Sequence, residues 1–237
     1  MSKNFLKIVL VFGVGLCGGI FANQILWPSL VERPLIDQYQ LANIPVSVTE
    51  TKEIIIQENN VLQNSIEKIE KAIVGIKTKT ENGKIISGSG LVVTSDGLII
   101  TLSDIISPKG DFVFFVDGET PNWQILKRDT KKNLALIKVD MDDLKTVSFA
   151  DFDETKLGQR VFLLGIVFDT KPLRIVNEGI VKFFTSEYIR TNIIEKKTLS
   201  GSALFNINGD LLGLNTIDDD GGITAIPITK IREFLGY

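Results

Sequence analysis

The 237-residue sequence contains no histidine. Histidine is the side chain whose ordinary pKa lets it accept and return a proton near neutral pH, so acid–base chemistry built on an imidazole is excluded. The single cysteine, Cys17, excludes a disulfide within the chain and, without histidine, a zinc site of Cys and His ligands. We therefore expect a fold held together by packing alone, with no metal site and no cofactor.

A strong charge of either sign is also missing. The chain has 26 Lys and Arg against 29 Asp and Glu, a formal net charge of -3, and both signs are scattered along it. Proteins that bind nucleic acids or anionic lipids carry basic patches, so we expect no nucleic-acid partner. A hydrophobic content of 44% is enough for one substantial core or two small fused ones.

One long apolar run is present near the N-terminus. No charged residue interrupts the chain from Ile8 to Leu26, Lys3 and Lys7 precede this run, and Trp27 follows it. About twenty apolar residues in a helix are long enough to cross a bilayer. Lysines before the run and an aromatic residue after it predict a cytoplasmic N-terminus and a single membrane span over residues 8–27, with the rest of the chain in the periplasm or at the cell surface.

A cleaved signal sequence is the alternative for this apolar run. The residues before a plausible cut, such as Ile20 and Ala22, make a poor small-x-small cleavage site. A lipoprotein signal ending at Cys17 is disfavoured because the bulky Leu16 precedes it. The sequence therefore favours an uncleaved signal anchor in residues 1–27, and the globular part is exported in either case.

Residues 28–52 and 53–72 connect the apolar run to the rest of the chain. The first segment has three prolines and no sustained hydrophobic period, which predicts a linker. The second segment predicts an amphipathic helix, whose apolar residues recur at the spacings of one helical face: Ile55, Leu62, Ile66 and Ile69. We expect this lead-in helix to pack on the following domain; an oligomerising helix is the alternative.

After residue 72 the sequence turns to short runs rich in Val, Ile and Phe, separated by glycine and Asn/Asp turns. Six such runs fall in residues 73–144 and six in residues 158–237, with a connection over residues 145–157. This pattern predicts an all-β fold of two six-stranded antiparallel β-barrels. A short C-terminal helix is predicted over residues 228–235, where Ile231 and Leu235 are one turn apart.

Six segments of this region carry motifs of one known family: SGSGLVVTSDGLIITLSDII, RDTKKNLALIKV, LGQRVFLLGIVF, NEGIVKFF, TLSGSALFNINGDLLGLNT and ITAIPITKIREFL. In this order they resemble the HtrA/DegP-type branch of the trypsin-like serine proteases. The resemblance covers about residues 72–235 and implies the trypsin-like (chymotrypsin) fold, with a Ser-His-Asp triad in the cleft between two barrels. The family often carries a PDZ domain after the protease domain; the sequence ends at Tyr237, and we expect none within this chain.

Two positions of the implied triad carry other residues. Asp104 holds the position of the catalytic histidine, and Asn133 holds that of the triad aspartate. A carboxylate has an ordinary pKa of about 3.9, so it is a weak base towards an alcohol, and it has no second nitrogen to donate onward. An amide carries no charge to stabilise an imidazolium. The proton relay of the family therefore cannot operate through these side chains.

The loop of the implied nucleophile has changed as well. Ser200 matches the serine of the family's Gly-Asn-Ser-Gly-Gly-Pro loop, and Gly201 is kept, but Ser202 and Ala203 replace Gly-Pro. Thr198 replaces a glycine whose backbone N–H belongs to the oxyanion hole. A side chain there disfavours the backbone rotation that aims this N–H. The resemblance therefore leaves Ser200 as a retained hydroxyl without its usual supports.

Three hypotheses about function follow. The first is a membrane-anchored pseudoprotease that binds a peptide or protein partner along Thr216, Ile217 and Asp218, which resemble the family's substrate-aligning strand. The second is an active serine endopeptidase that uses Ser200 with a non-histidine base, for which Lys196 and Lys197 are the nearby candidates. The third is an inert structural or assembly domain. The sequence favours the first and leaves the partner's identity and the oligomeric state open.

Overall fold

A computed structural model of the protein describes residues 3–26, 60–106, 109–168 and 171–237. The chain divides into two units, residues 1–54 and residues 55–237. In the first unit, helix α1 (Lys3–Phe21) continues into a π-helical turn, Ala22–Leu26. Its stretch Lys7–Gln24 is long and apolar enough to cross a membrane, a property that an N-terminal signal sequence shares. The predicted linker, residues 28–52, and residues 53–59 of the predicted lead-in helix lie outside the described residues.

Helix α2 begins the described part of the second unit, over residues 60–69, and a 3-10 turn, Glu70–Ala72, leads from it into the first strand. Ile69 is buried, and Leu62 and Ile66 pack against the main core. The buried Ser65 hydroxyl donates a hydrogen bond to the Ile207 carbonyl at 2.9 Å. The apolar face of this helix therefore lies against the domain that follows it.

The first sheet has six antiparallel strands in the spatial order β4-β1-β2-β3-β6-β5. They are β1 (Ile73–Lys79), β2 (Ile85–Val92), β3 (Leu98–Thr101), β4 (Asp111–Val116), β5 (Trp123–Asp129) and β6 (Leu134–Val139). The two end strands, β4 and β5, are joined by a side chain. Trp123 donates its indole N–H to the Phe112 carbonyl at 3.2 Å and packs edge to face on the Phe112 ring.

The second sheet is a closed antiparallel barrel in the order β10-β11-β12-β9-β8-β7. Its strands are β7 (Arg160–Phe168), β8 (Pro172–Phe184), β9 (Ile189–Ile194), β10 (Ala203–Asn206), β11 (Leu211–Ile217) and β12 (Gly222–Pro227). Helix α3 (Ile228–Leu235) follows β12. Two six-stranded antiparallel sheets, an apolar N-terminal helix and a short C-terminal helix confirm the predicted fold class.

One apolar cluster spans the two sheets and fixes the geometry of the cleft between them, and a second cluster consists mainly of barrel residues. Ile76 of β1 belongs to the same buried cluster as Phe162 and Phe205 of the barrel, whose rings stack with centroids 5.4 Å apart. Where β1 approaches the barrel, a Cβ on Gly75 would lie 2.8 Å from Ile166 Cγ2. Only glycine allows this approach without a shift of the neighbouring side chains.

Helix α3, which follows the last barrel strand, contacts β5 and the β5–β6 turn of the first sheet. Lys127 of β5 donates to the Phe234 carbonyl at 2.6 Å, and its ammonium lies 4.4 Å from the centre of the Phe234 ring. Lys132, in the β5–β6 turn, forms an ion pair with Glu233 at 2.8 Å. The hydrogen bond from Lys132 holds the pKa of the Glu233 carboxyl below its usual value. The turn that carries Asn133 is thereby connected to the C-terminal helix.

Candidate functional site

A cavity of about 250 Å³ lies between the first sheet and the barrel. The first sheet and its loops contribute Ile86, Ser87, Leu102, Asp104, Ile105 and Asn133, and the barrel contributes Lys197, Ser200, Thr216 and Ile217. The structure thus brings together six of the residues that the sequence singled out: Asp104, Asn133, Lys197, Ser200, Thr216 and Ile217. Their catalytic or binding roles stay predictions, but their proximity gives those roles a common site.

Asp104 and Asn133 form a closed hydrogen-bonded pair. The Asn133 amide donates to Asp104 Oδ2 at 2.9 Å, and its oxygen accepts from the Asp104 backbone N–H at 3.1 Å and from the Ser103 hydroxyl at 2.9 Å. In a serine-protease triad the base donates a proton to the third residue. Here the Asp104 carboxylate, at the base position, accepts a hydrogen bond from Asn133 instead of donating one. The pair therefore orients the Asp104 carboxylate without providing a route for a proton.

The turn that presents Asn133 is held by local hydrogen bonds. Asn133 has a φ of +53°, a left-handed conformation that asparagine tolerates better than most residues. The Asp129 carboxylate accepts the backbone N–H groups of Lys132 and Lys131 at 3.0 and 2.9 Å. These bonds, that from Lys132 above all, hold the pKa of Asp129 below its usual value. The Asn133 carbonyl also accepts from the Ser103 N–H at 3.2 Å. The backbone and the side chain of Asn133 therefore both hold the turn that carries Asp104.

In the Ser200 loop, one of the two implied oxyanion-hole donors is engaged in a hydrogen bond within the loop itself. A 3-10 turn, Lys197–Leu199, precedes Ser200, and the Ser200 N–H donates to the Lys197 carbonyl at 3.0 Å. Stabilising an oxyanion requires backbone N–H groups aimed at the place where the negative charge develops. Thr198, at the other implied donor position, lies within the same turn. In this arrangement the Ser200 N–H faces a carbonyl of its own chain.

Backbone hydrogen bonds clamp the Ser200 loop between the two sheets. The Ser200 carbonyl accepts from the Ser89 N–H at 2.9 Å, and the Gly201 N–H donates to the Asn215 carbonyl at 2.8 Å. Gly201 has a φ of +77°, and a Cβ there would lie 2.2 Å from the Ser89 carbonyl oxygen. Ser89 and Asn215 are both fully buried. No sequence motif marks these two residues, since their role here comes from backbone groups.

The end of β11 offers a strand edge to the cavity. Asn215 faces β10, because its N–H donates to the Ser202 carbonyl at 2.8 Å, whereas Asp218 faces β12, because its N–H donates to the Gly222 carbonyl at 3.1 Å. Backbone groups alternate sides along an antiparallel strand. The N–H and carbonyl of Ile217 therefore point away from β12, on the side where Ile217 lines the cavity. An extended peptide can pair with a strand at such an edge.

The acidic run at the β11–β12 turn is occupied by protein groups. Asp218 accepts from the Gly222 N–H at 2.7 Å and from the Arg190 guanidinium at 3.1 Å, and these contacts, the first above all, hold its pKa below the usual value. Asp219 forms an ion pair with the Lys197 ammonium. The head group of Lys197, which the sequence offered as a base for Ser200, is therefore directed at a carboxylate.

Comparison with known families supports the resemblance seen in the sequence. The family described as "Trypsin-like peptidase domain" matches residues 88–214, more than half of the chain. Among curated proteins, "Serine protease HTRA1A" of Danio rerio is 31% identical over 198 residues, 74% of this chain and 41% of that protein. "Probable periplasmic serine endoprotease DegP-like" of Halomonas elongata is 28% identical over 106 residues, 42% of this chain and 22% of that protein. The chain thus spans less than half the length of these relatives.

Solved structures show the same fold. A structure described as "HtrA-type protease AlgW with tripeptide" superposes with a TM-score of 0.65. It is 21% identical in sequence, and the match covers 74% of this chain and 62% of that chain. At this identity the likeness shows the fold alone, and what the cleft does is decided by its residues.

Proposed function

The chain belongs to the trypsin-like peptidase family and matches HtrA-type serine proteases within it, and from this premise we propose that it is a pseudoprotease that binds a peptide or protein partner in its cleft. One observation carries the proposal: the Ser200 N–H is hydrogen-bonded to the Lys197 carbonyl, in a chain that has no histidine. Ser200 then has no histidine to act as its base, and its own N–H is not free to serve as an oxyanion donor. The cleft itself remains an open cavity.

The binding mode follows from the β11 edge and the cavity beside it. An extended peptide pairs its backbone with the N–H and carbonyl of Ile217, which supplies affinity that depends little on sequence. One peptide side chain enters the cavity and supplies selectivity. The clamp on the Ser200 loop keeps that cavity in one shape, so little ordering is needed when the peptide binds.

The test uses the full chain in detergent and an array of immobilised random decapeptides. We expect a subset of peptides to bind. The variant Ser87→Trp, which places an indole in the cavity, should weaken their binding at least about tenfold, a loss of about 1.4 kcal/mol. Ser95→Trp, at an exposed turn serine, is the matched control and should bind like the wild type. An array without bound peptides, or equal binding by Ser87→Trp, would contradict the proposal.

We also propose that the domain lies outside the cytoplasm and is anchored by a single membrane span. The support is helix α1, whose stretch Lys7–Gln24 has a mean hydropathy of 1.5. An alkaline phosphatase fused after Tyr237 should be active, and an N-terminal epitope tag should stay with the chain in carbonate-washed membranes. A chain that has lost the tag would indicate a cleaved signal, and an inactive fusion would place the domain in the cytoplasm.

A further inference from the structure

Two charged side chains, Asp104 and Lys197, line the cavity. The Lys197 ammonium forms an ion pair with Asp219, which compensates its charge. The Asp104 carboxylate accepts from the neutral amide of Asn133. Within residues 60–106, 109–168 and 171–237, no Lys or Arg forms an ion pair with Asp104. The cavity therefore presents one carboxylate whose charge is not compensated by a direct partner.

The cations on neighbouring elements are held by other groups. The Arg128 guanidinium donates to the Ser103 carbonyl at 3.1 and 3.3 Å, and the Lys132 ammonium is paired with Glu233 at 2.8 Å. Neither Arg128 nor Lys132 is among the residues that line the cavity. A cation arriving from a ligand would not need to displace either of them to reach Asp104.

The rest of the cavity suits the stem of a long basic side chain. Ile86, Leu102, Ile105 and Ile217 supply apolar walls, and Lys and Arg pack their methylene groups on such walls while the charged head reaches a polar partner. A volume of about 250 Å³ is below the usual range of small-molecule pockets and suits one side chain. Asn133 already orients Asp104 through Oδ2, so a charge-assisted hydrogen bond to the carboxylate requires little further ordering.

We propose that the cleft selects peptides that place an arginine or lysine side chain in this cavity, with its cation on the Asp104 carboxylate. This selectivity rests on the proposed peptide-binding function and adds the chemical class of the ligand. A free peptide N-terminus carries the same kind of cation. The test must therefore separate a side-chain cation from a terminal one.

The experiment measures fluorescence anisotropy with the full chain in detergent. The strongest decapeptide from the array is N-acetylated and made with arginine, lysine, citrulline or norleucine at each position in turn. At one position, arginine and lysine should bind at least about tenfold more tightly than citrulline, which keeps the shape of arginine without its charge. The difference should shrink in 0.5 M NaCl, because salt screens exposed charges.

The variant Asp104→Asn tests the assigned partner. It keeps an acceptor for the Asn133 amide but removes the charge, so it should bind the arginine and citrulline peptides equally. Asp140→Asn, which removes an exposed carboxylate elsewhere, is the matched control and should keep the preference for arginine.

Each outcome supports or overturns a separate part of the proposal. Peptides that bind with no preference for a cation would overturn the selectivity and leave the peptide-binding function standing. A preference that survives in Asp104→Asn would overturn the assignment to Asp104. A preference that appears only with a free N-terminus would replace the side-chain cation by the terminal one. The absence of any bound peptide would overturn the peptide-binding function itself.

Discussion

Restoring the two missing triad side chains alone is expected to restore only a small fraction of a protease's activity. The double variant Asp104→His, Asn133→Asp should hydrolyse a fluorogenic peptide mixture with a kcat about 10²–10³ below that of the same variant carrying Thr198→Gly. The reason is the Ser200 loop, in which the Ser200 N–H is bound to the Lys197 carbonyl. Removing one oxyanion donor costs about 10²–10³ in kcat in enzymes with intact triads. A base and its orienting carboxylate do not replace that donor.

The control adds a substitution in the Ser200 loop to the double variant. Thr198→Gly, combined with the two triad substitutions, removes the side chain that opposes rotation of the Lys197–Thr198 peptide. We expect this triple variant to exceed the double variant by at least about a hundredfold in kcat, and to react with a fluorophosphonate probe at Ser200. Equal rates in the double and triple variants, both abolished by Ser200→Ala, would show that the loop does not limit the reaction.

The wild-type chain in the same probe assay decides between the pseudoprotease and the lysine-based enzyme. We expect no labelling, because the Lys197 ammonium is paired with Asp219 and not with Ser200. Labelling that is lost in both Ser200→Ala and Lys197→Met would instead support catalysis with a lysine base.

Gly201→Ala is expected to produce the largest loss of stability among substitutions at the site. A φ of +77° disfavours alanine by about 1–2 kcal/mol, and the new Cβ would lie 2.2 Å from the Ser89 carbonyl oxygen. Overpacking of this kind typically costs a further 1–3 kcal/mol, so we expect a total of about 2–5 kcal/mol. The free energy of unfolding in urea measures it. The variant should also lose peptide binding, since the clamped loop shapes the cavity.

Gly158→Ala is the matched control for this substitution. Gly158 has nearly the same φ, +76°, but a Cβ there meets no atom within 4 Å. The Gly158→Ala variant should therefore lose only about 1–2 kcal/mol in the free energy of unfolding, the cost of the left-handed backbone conformation. It should keep peptide binding. Equal destabilisation by the two substitutions would show that the contact with Ser89 relaxes at no cost.

Much of the fold could be predicted because its signals are local. Short β-branched runs, glycine turns and a helical apolar spacing each lie within a few residues of one another, so the succession of strands along the chain, the C-terminal helix and the described part of the lead-in helix follow from patterns in the sequence. Strand ends were less well predicted. Strand β8 begins at Pro172, three residues before its β-branched pair Ile175 and Val176, because the register pairs Pro172 with Phe168 of β7, and pairing extends a strand beyond such a run.

The candidate site could be predicted only in part. The family motifs identified Asp104, Asn133 and Ser200, and the structure brings all three to one cavity. The sequence proximity of Lys197 to Ser200 suggested a base, but the ammonium contacts Asp219, 22 residues away in the chain. Similarly, the Asn133 amide meets Asp104 across 29 residues. Partners at such separations are set by the register of the sheets, which the sequence alone does not display.

The sequence by itself determined that no imidazole chemistry is available, that two triad positions carry Asp and Asn, and that the chain has an all-β fold. These conclusions depend on residue identity and on local patterns, which are complete in the sequence. Only the tertiary structure decided that the Ser200 N–H faces the Lys197 carbonyl and that Lys197 is paired with Asp219, while no Lys or Arg in the described part of the chain forms an ion pair with Asp104. Hydrogen bonds and ion pairs join groups from distant segments, so the charge and the donors of the cleft are properties of the folded chain.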